Sequence, residues 1–400
     1  MATFNSLGSN YSKRFVWRSL FVGKTVNAFD QQQELISKKY TGQATLTYKG
    51  REALELALKN SGLPAGSAVG INGFTCYVVY LAVQNAGYEP VFIDIVAGQT
   101  NFGVNELKLA HVSHPNLKAI IVQNTLGYPA DMPALEAYCQ QSGLMIIEDL
   151  AHSIGTIYSD GREAGTVGQF TMLSFSQDKT IDVIAGGAMI DRRSNATKPE
   201  MILPSIGAKQ RLKNRLYPFW TSTIRSTYSS GLGRILHFGL KQLHWLATPM
   251  NDDLKGLHAM SDAAASLLMD RWQTREAELA HRRRMTIIYE QQLPANVQFI
   301  HTSGTTPSYV RFPIWVQDRD SLVHFLRLSR IYIGDTWYDA PVGPKKYMTR
   351  TSYQTGNCPN AENLAQHIVN LPTHQNVTPQ IAATICAKIK QWQASRPISG

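Results

Sequence analysis

Cysteine is scarce in this 400-residue chain: Cys76, Cys139, Cys358 and Cys386 are the only four. They lie far apart and form no Cys-x-x-Cys pair, so neither a zinc knuckle nor a disulfide framework is indicated. No metal site is expected. No run of 18 or so apolar residues occurs, which argues against a spanning helix. No charged segment followed by an apolar stretch opens the chain, so no secretory signal is read and the cytosol is the default compartment. Internal repeats and low-complexity segments are lacking too. Acidic residues are missing between Met201 and Asn251, although that stretch holds Lys209, Arg211, Lys213, Arg215, Arg225, Arg234 and Lys241. Those seven account for most of the net charge of +10. The body is therefore close to neutral and one segment is basic. With no binding motif beside the charge, nucleic-acid binding is not expected.

What is present is the apolar content of a globular chain, 44%, enough for one large domain and a smaller one. From about residue 50 to 190, helical and extended patterns alternate. REALELALKNSG is helical with Gly62 as its stop, and AVGIN is a short strand. FTCYVVYLAVQNAG is too long for a strand and reads as a buried helix. EPVFIDI, LKAIIVQN and GLMIIED are apolar runs suited to strands covered on both faces. ELKLAHVSH and MPALEAYCQQSG are the helices between them. QFTMLSFS and GGAMIDR read as two more strands. This alternation predicts an α/β fold whose central sheet is mostly parallel and flanked by helices. Ligands then gather at the carboxyl ends of the strands. After about residue 258 the character changes. A long helical pattern, AAASLLMDRWQTREAELAHRRRMTIIYEQQL, precedes extended VQFIH and SYVRFPIWV. Helical SLVHFLRLSRI and TPQIAATICAKIKQWQ follow. The expected division is a large domain over 1–258 and a smaller α+β domain over 259–400.

The chemistry concentrates at two places. Asp149 ends the apolar run LMIIED, and thirty residues later Lys179 follows a Ser-Phe strand and precedes Gly-Gly. Singly, each has an ordinary explanation: Asp149 as a helix N-cap, Lys179 as a solvated cation, Ser174 as a strand hydroxyl bonded to backbone. Together they suit pyridoxal phosphate (PLP), which needs a lysine for its aldehyde and an acid beside its ring nitrogen. Lys179 would hold the aldehyde and later carry a proton as general base. A carboxylate at Asp149 would keep the ring nitrogen protonated. His152 would donate to the ring oxygen or pack on the ring. Gly50-Arg51-Glu52 opens a helix whose N–H groups suit a phosphate, with Ser174 and Arg51 as side-chain donors.

In eight stretches taken in order, the chain resembles the DegT/StrS-type aminotransferases of nucleotide-sugar pathways, which are fold-type I PLP enzymes. The likeness covers roughly residues 45–192 and 256–375. KGREALELAL is similar to the family's phosphate loop, and GFTCYVVYLAVQNAGYEPVFIDI to its Phe-Thr helix and the strand after it. QNTLGYPADM resembles its His-x-x-Gly-x-x-Ala-Asp-Met turn. EDLAHS, SFSQDK and AGGAMI resemble the family's Glu-Asp, Ser-Phe-x-x-x-Lys and Gly-Gly-Ala stretches. MSDAAASLL and CPNAENLAQHIVNLPTH match two stretches of the second domain. The resemblance implies Lys179 as the lysine that bonds the cofactor, Asp149 as the pyridine partner, His152 against the ring oxygen and Ser174 on the phosphate. It implies a homodimer with both active sites at the interface. The implied reaction moves an amino group from an amino acid, usually glutamate, to a keto sugar carried on a nucleotide. The pathway is then amino-sugar or surface-polysaccharide biosynthesis. A sister group that dehydrates sugars has His in place of this lysine, so a PLP-dependent dehydratase is one alternative. A catalytically degenerate membrane-associated or regulatory protein on the same scaffold is another. Three positions depart from the family pattern. Arg51-Glu52 stands where Thr-Ala or Ser-Ala is usual, which makes Arg51 a candidate phosphate ligand. Near Cys76 the family often stacks an aromatic ring on the cofactor; here Tyr77 takes that place or nothing does. KGLHA replaces Gly-Tyr-Asn-Tyr, whose Asn reaches the partner subunit's phosphate, leaving Lys255 or His258 as the candidate substitute.

The basic segment, about 196–255, is longer than the family's usual connection. From Leu232 to Leu246 its pattern is helical. Leu232, Ile235, Leu236, Leu240, Leu243 and Leu246 fall on one face at 100° per residue. Arg234, His237, Lys241 and His244 lie opposite, with Phe238 and Trp245 at the border. Such a helix docks on the protein body or across a dimer interface. Alternatively, residues 212–250 lie in a membrane interface at the inner face of the membrane, or recognise a lipid-linked sugar diphosphate.

Overall fold

The computed structural model describes residues 2–23, 27–194, 202–247, 256–297, 304–334 and 338–395. A short strand β1 (Thr3–Phe4) leads into α1 (Lys13–Phe21), where Ser12 caps the helix by accepting the Phe15 N–H. Then come α2 (Ala28–Lys39), β2 (Gln43–Thr47) and α3 (Gly50–Asn60). Gly62 lies just past α3 with φ +72°, the left-handed turn that glycine adopts without strain. The alternation continues through β3 (Ala68–Asn72), β4 (Thr75–Cys76), α4 (Tyr77–Asn85), β5 (Glu89–Ile93), α5 (Val104–Ser113) and β6 (Leu117–Val122). It closes with α6 (Met132–Ser142), β7 (Met145–Leu150), β8 (Phe170–Ser174) and β9 (Gly187–Asp191).

Seven of these strands form one sheet in the order β2-β9-β8-β7-β6-β3-β5. All neighbours are parallel except at β9, which runs antiparallel to both β8 and β2. The expected α/β class and the mostly parallel sheet are thus present. β2 was not expected; QATLT is short and carries no long apolar run. β8 and β9 are buried along their whole length, as strands covered on both faces must be. The chain order β6, β7, β8 is also the spatial order, so the loops leaving their carboxyl ends converge on one rim of the sheet.

Beyond the sheet lie α7 (Ala208–Ser226), α8 (Leu232–Gln242), α9 (Asp262–Gln273) and α10 (Arg275–Gln292). The expected single long helix after residue 262 is two, separated at Thr274. After them come β10 (Arg311–Trp315), α11 (Arg319–Leu328), β11 (Ile331–Tyr332), β12 (Val342–Gly343), α12 (Lys345–Met348), α13 (Pro359–His367), β13 (Ile368–Pro372) and α14 (Pro379–Ala394). Most of the VQFIH stretch lies outside the described residues; its first residue, Val297, ends a 3-10 turn. β12 pairs with β4, so the start of FTCYVVYL is extended and the helix begins only at Tyr77.

Three large hydrophobic clusters form the core, and the third is confined to residues 285–392. We propose on that basis a C-terminal unit from residue 259. Its first helix, α9, packs into the first cluster through Ala265, Leu268 and Trp272. The N-terminal residues cross to this unit. β1 pairs with β11, and Asn5 donates to the Asn370 carbonyl at 2.7 Å.

Candidate active site

Asp149 stands near the carboxyl end of β7, beside Met172 of β8. It is buried, and its Oδ1 accepts the Ala151 N–H at 2.8 Å. Burial raises its pKa to about 6; the Ala151 hydrogen bond and the Lys179 charge oppose that rise without cancelling it. The chain turns back immediately, which places His152 in the same pocket. The start of α3 closes another side. There Gly50 touches Ser174: a Cβ on Gly50 would lie 2.6 Å from Ser174 Cβ and 2.8 Å from its Oγ. Gly187 of β9 backs onto Lys49 in the same way, its missing Cβ falling 2.6 Å from the Lys49 carbonyl oxygen. Two glycines therefore let the helix start, the Ser174 hydroxyl and the sheet approach one another.

Lys179 sits in the turn between β8 and β9. The turn is built around a carboxylate that sequence patterning does not mark. Asp182 accepts the Asp178 N–H at 2.8 Å, the Ile184 N–H at 2.9 Å and the Tyr11 hydroxyl at 2.8 Å. Asn10 donates to Asp182 Oδ2 at 3.3 Å and to the Lys179 carbonyl at 3.1 Å. The Lys179 backbone is thus fixed without help from its own side chain.

The lysine Nζ lies 3.0 Å from His152 Nε2. The histidine's other nitrogen, Nδ1, accepts the Leu126 N–H at 3.1 Å, and a backbone N–H can only donate. Burial holds the His152 pKa well below its ordinary value, so the ring is neutral. A neutral ring that accepts at Nδ1 carries its proton on Nε2. Lys179 Nζ thus lies within hydrogen-bonding distance of this neutral ring. Burial also lowers the Lys179 pKa, which favours the uncharged amine. An uncharged buried amine is the nucleophilic form of lysine.

Gly50, Arg51, Cys76, Asp149, His152, Ser174 and Lys179 all line a small cavity of about 70 Å³, with Tyr338 beside them. It continues through most of the same residues into a cavity of about 560 Å³ that also touches Lys49, Lys241, Lys346 and Tyr347. Two expected site residues stand elsewhere. Tyr77 lines neither cavity: its ring stacks on Tyr347, with centroids 5.0 Å apart and planes 6° from parallel. Glu52 turns to the His258 N–H, which it accepts at 2.8 Å. Burial raises its pKa to about 7. His258 therefore engages its own chain's α3, and Lys255 lies outside the described residues. The wall that Tyr77 would have supplied is made by Cys76 and Val78 on one side and Tyr338 on the other. Gln123 Nε2 approaches the Tyr338 hydroxyl at 3.4 Å.

The donor set tests whether PLP fits. A buried carboxyl group, a buried lysine and a histidine meet in one cavity. A serine hydroxyl and a helix start, made close-fitting by two glycines, supply donors for a phosphate. The residues fit the group.

A sequence model described as the DegT/DnrJ/EryC1/StrS aminotransferase family matches residues 16–390. EpsN of Bacillus subtilis (strain 168), assigned as a pyridoxal phosphate-dependent aminotransferase, is 29% identical over 188 residues. That alignment spans 46% of this chain and about half of EpsN, 48%. GDP-perosamine synthase of Escherichia coli O157:H7 is 22% identical over 94% of this chain and 91% of its own length. The crystal structure of S. venezuelae DesV superposes with a TM-score of 0.72 at 21% identity, covering 96% of this chain and 94% of that one, which shows the fold.

Proposed function

Because the chain belongs to the DegT/DnrJ/EryC1/StrS aminotransferase family, we propose that it transfers an amino group from an amino acid, glutamate, to a nucleotide-linked keto sugar. The product would serve amino-sugar or surface-polysaccharide biosynthesis. The observation that carries this reading is the meeting of Lys179, 3.0 Å from His152, with Asp149 and Ser174 in one cavity. PLP, when bound, supplies an aldehyde and an electron-accepting ring. Lys179 would hold the aldehyde and move a proton at the substrate Cα. Asp149 would stabilise positive charge on the ring nitrogen. Ser174, Arg51 and the Gly50 backbone would hold the phosphate, and His152 would donate to the ring oxygen. Cys76 and Tyr338 form the walls.

Absorption spectroscopy of the purified protein tests the reading. A visible band that moves toward the ultraviolet on adding L-glutamate is the expected result. Absence of any visible band after incubation with PLP would remove the proposal. A band that ignores glutamate would remove that donor.

We further propose that the protein is a homodimer with its active sites at the interface; a single-chain mass by light scattering would end that. In the cell we place it in the cytoplasm, at the inner face of the membrane. No helix among the described residues is long and apolar enough to cross a membrane. The outward edge of α8, however, is strongly apolar: Leu232, Ile235 and Phe238 are 64%, 71% and 66% exposed, and Leu243 beyond its end 69%. Such an edge suits the interfacial layer of an anionic membrane. The wild type is expected to sediment with anionic liposomes, and a Leu232→Ser/Ile235→Ser/Phe238→Ser variant to stay largely in the supernatant. Equal sedimentation of the two would sink this contact.

A further inference from the structure

A second cavity, of about 640 Å³, lies next to the catalytic one. Gln177, Lys241 and Leu246 line both, so the two are separated only by a thin wall. The wall is held by Gln177, whose Nε2 donates to the Ala247 carbonyl at 3.1 Å.

The orientation of α8 decides what this cavity offers. Gly233 presses the helix onto the end of α7: a Cβ there would lie 2.2 Å from the Ile224 carbonyl oxygen and 2.7 Å from the Tyr228 nitrogen. Leu236 and Leu240 follow on the docked side and pack against the core. With that side fixed, Arg234, His237 and Lys241, spaced i, i+3 and i+7, share another edge. That edge lines the cavity, and Arg327 of α11 lines it as well. Arg234, Lys241 and Arg327 are exposed, so the cations form a rim.

The floor is different. Gln177 and Asp178 are buried, 4% and 6% exposed, and Gln177 Oε1 and Asp178 Oδ1 have no hydrogen-bond partner. Because Gln177 Nε2 is engaged by a carbonyl, its oxygen is the end left over. Buried acceptors without donors are costly, and a ligand that brings O–H or N–H groups relieves them. The cations stand at the rim, so the phosphates of such a ligand belong there. A bare inorganic anion meets only half of this demand. A phosphate ester of a sugar or nucleoside meets both, and the cavity volume is in the range of ligand pockets.

We propose that this second cavity takes the diphosphate-bearing carrier of the substrate, its phosphates on Arg234, Lys241 and Arg327 and its hydroxyl or N–H groups on Gln177 and Asp178. The keto sugar then crosses the Gln177–Leu246 wall toward Lys179. This rests on the aminotransferase reading above, since only a sugar ester brings a carrier. A nucleoside diphosphate and a lipid diphosphate share the rim chemistry.

The test is calorimetric titration of the cofactor-loaded protein with UDP, with farnesyl diphosphate and with inorganic pyrophosphate. It is run on the wild type and on an Arg234→Ala/Arg327→Ala variant, since both residues are exposed and neither lines the catalytic cavity. The expected result is binding of a diphosphate ester to the wild type, weakened about 10-fold or more in the variant by loss of two charge-assisted contacts. The spectral response to glutamate should be unchanged in the variant. UDP binding identifies a nucleotide carrier, and farnesyl diphosphate binding without UDP identifies a lipid one; either supports the site. Equal ester affinity in both proteins, no binding by either ester, or binding of pyrophosphate only would overturn it. Loss of the glutamate response in the wild type would instead strike the aminotransferase reading, whatever the titration gives.

Discussion

The Lys179→Ala protein is expected to fold, to bind the cofactor and to lose transfer to the keto sugar by at least about 10²–10⁴-fold, the range for removing a positioned general base. Folding should survive because the turn is tied by Asp182, Asn10 and Tyr11, and the Asn10 and Ser176 contacts of Lys179 use its backbone. Activity should not survive because two tasks vanish together: the bond to the aldehyde and the base at the substrate Cα. A steady-state assay with glutamate and a nucleotide-linked keto sugar measures the loss. The visible band should vanish or shift as well, since the amine that holds the aldehyde is gone. Wild-type turnover in this variant would transfer the assignment to another group. The nearest nitrogen is His152 Nε2, which the Leu126 hydrogen bond keeps protonated and therefore unable to act as a base.

The parts of this site carried by local pattern were legible in the sequence. β7 and β8 are apolar runs bounded by helices, so Asp149 and Ser174 could be set at strand ends and Lys179 in the turn beyond. What holds Lys179 was not legible. Asn10 and Tyr11 lie 172 and 171 residues from Asp182, and a buried polar contact at such separation leaves no mark in either stretch. Tyr77 failed for a geometric reason. It is the first residue of α4, and one residue further along a helix turns the side chain by 100°, here off the wall that Cys76 and Val78 line and onto the Tyr347 ring. In α8 the periodicity correctly showed an amphipathic helix but not how the apolar stripe divides. Leu236 and Leu240 pack inward while Leu232, Ile235 and Leu243 face out, and the helix ends at Gln242 rather than at Leu246. Gly233, which sets that rotation through contact with α7, reads in sequence as an ordinary weak helix former.

Asp149→Asn should separate function from stability in opposite directions. With cofactor bound, the carboxylate would stabilise positive charge on the ring nitrogen. Stripping one partner from a buried ion pair typically costs about 3–5 kcal/mol, so kcat should fall roughly 10²–10³-fold. Without cofactor the sign reverses. Burial raises the Asp149 pKa from 3.8 to about 6, so the folded protein keeps a proton that the unfolded chain has already lost. Stability from this group is therefore fully present below pH 3.8 and is lost as pH rises through 6. At pH 8 the deficit has a ceiling of about 3 kcal/mol, set by the rise from 3.8 to about 6. Asparagine does not ionise, and its Oδ1 can still accept the Ala151 N–H. The cofactor-free variant is thus expected to be more stable than the wild type at pH 8, with the gap closing toward pH 4. Urea melts of both apoproteins across that range measure it, and kcat of the loaded proteins measures the other arm. A variant that is destabilised at pH 8 while keeping its activity would mean that Asp149 is a structural cap on the Ala151 turn and not the partner of a cationic ring. A site that holds an uncompensated carboxylate until its ligand arrives gives up stability in the empty state, and only the cofactor's charge makes that arrangement favourable.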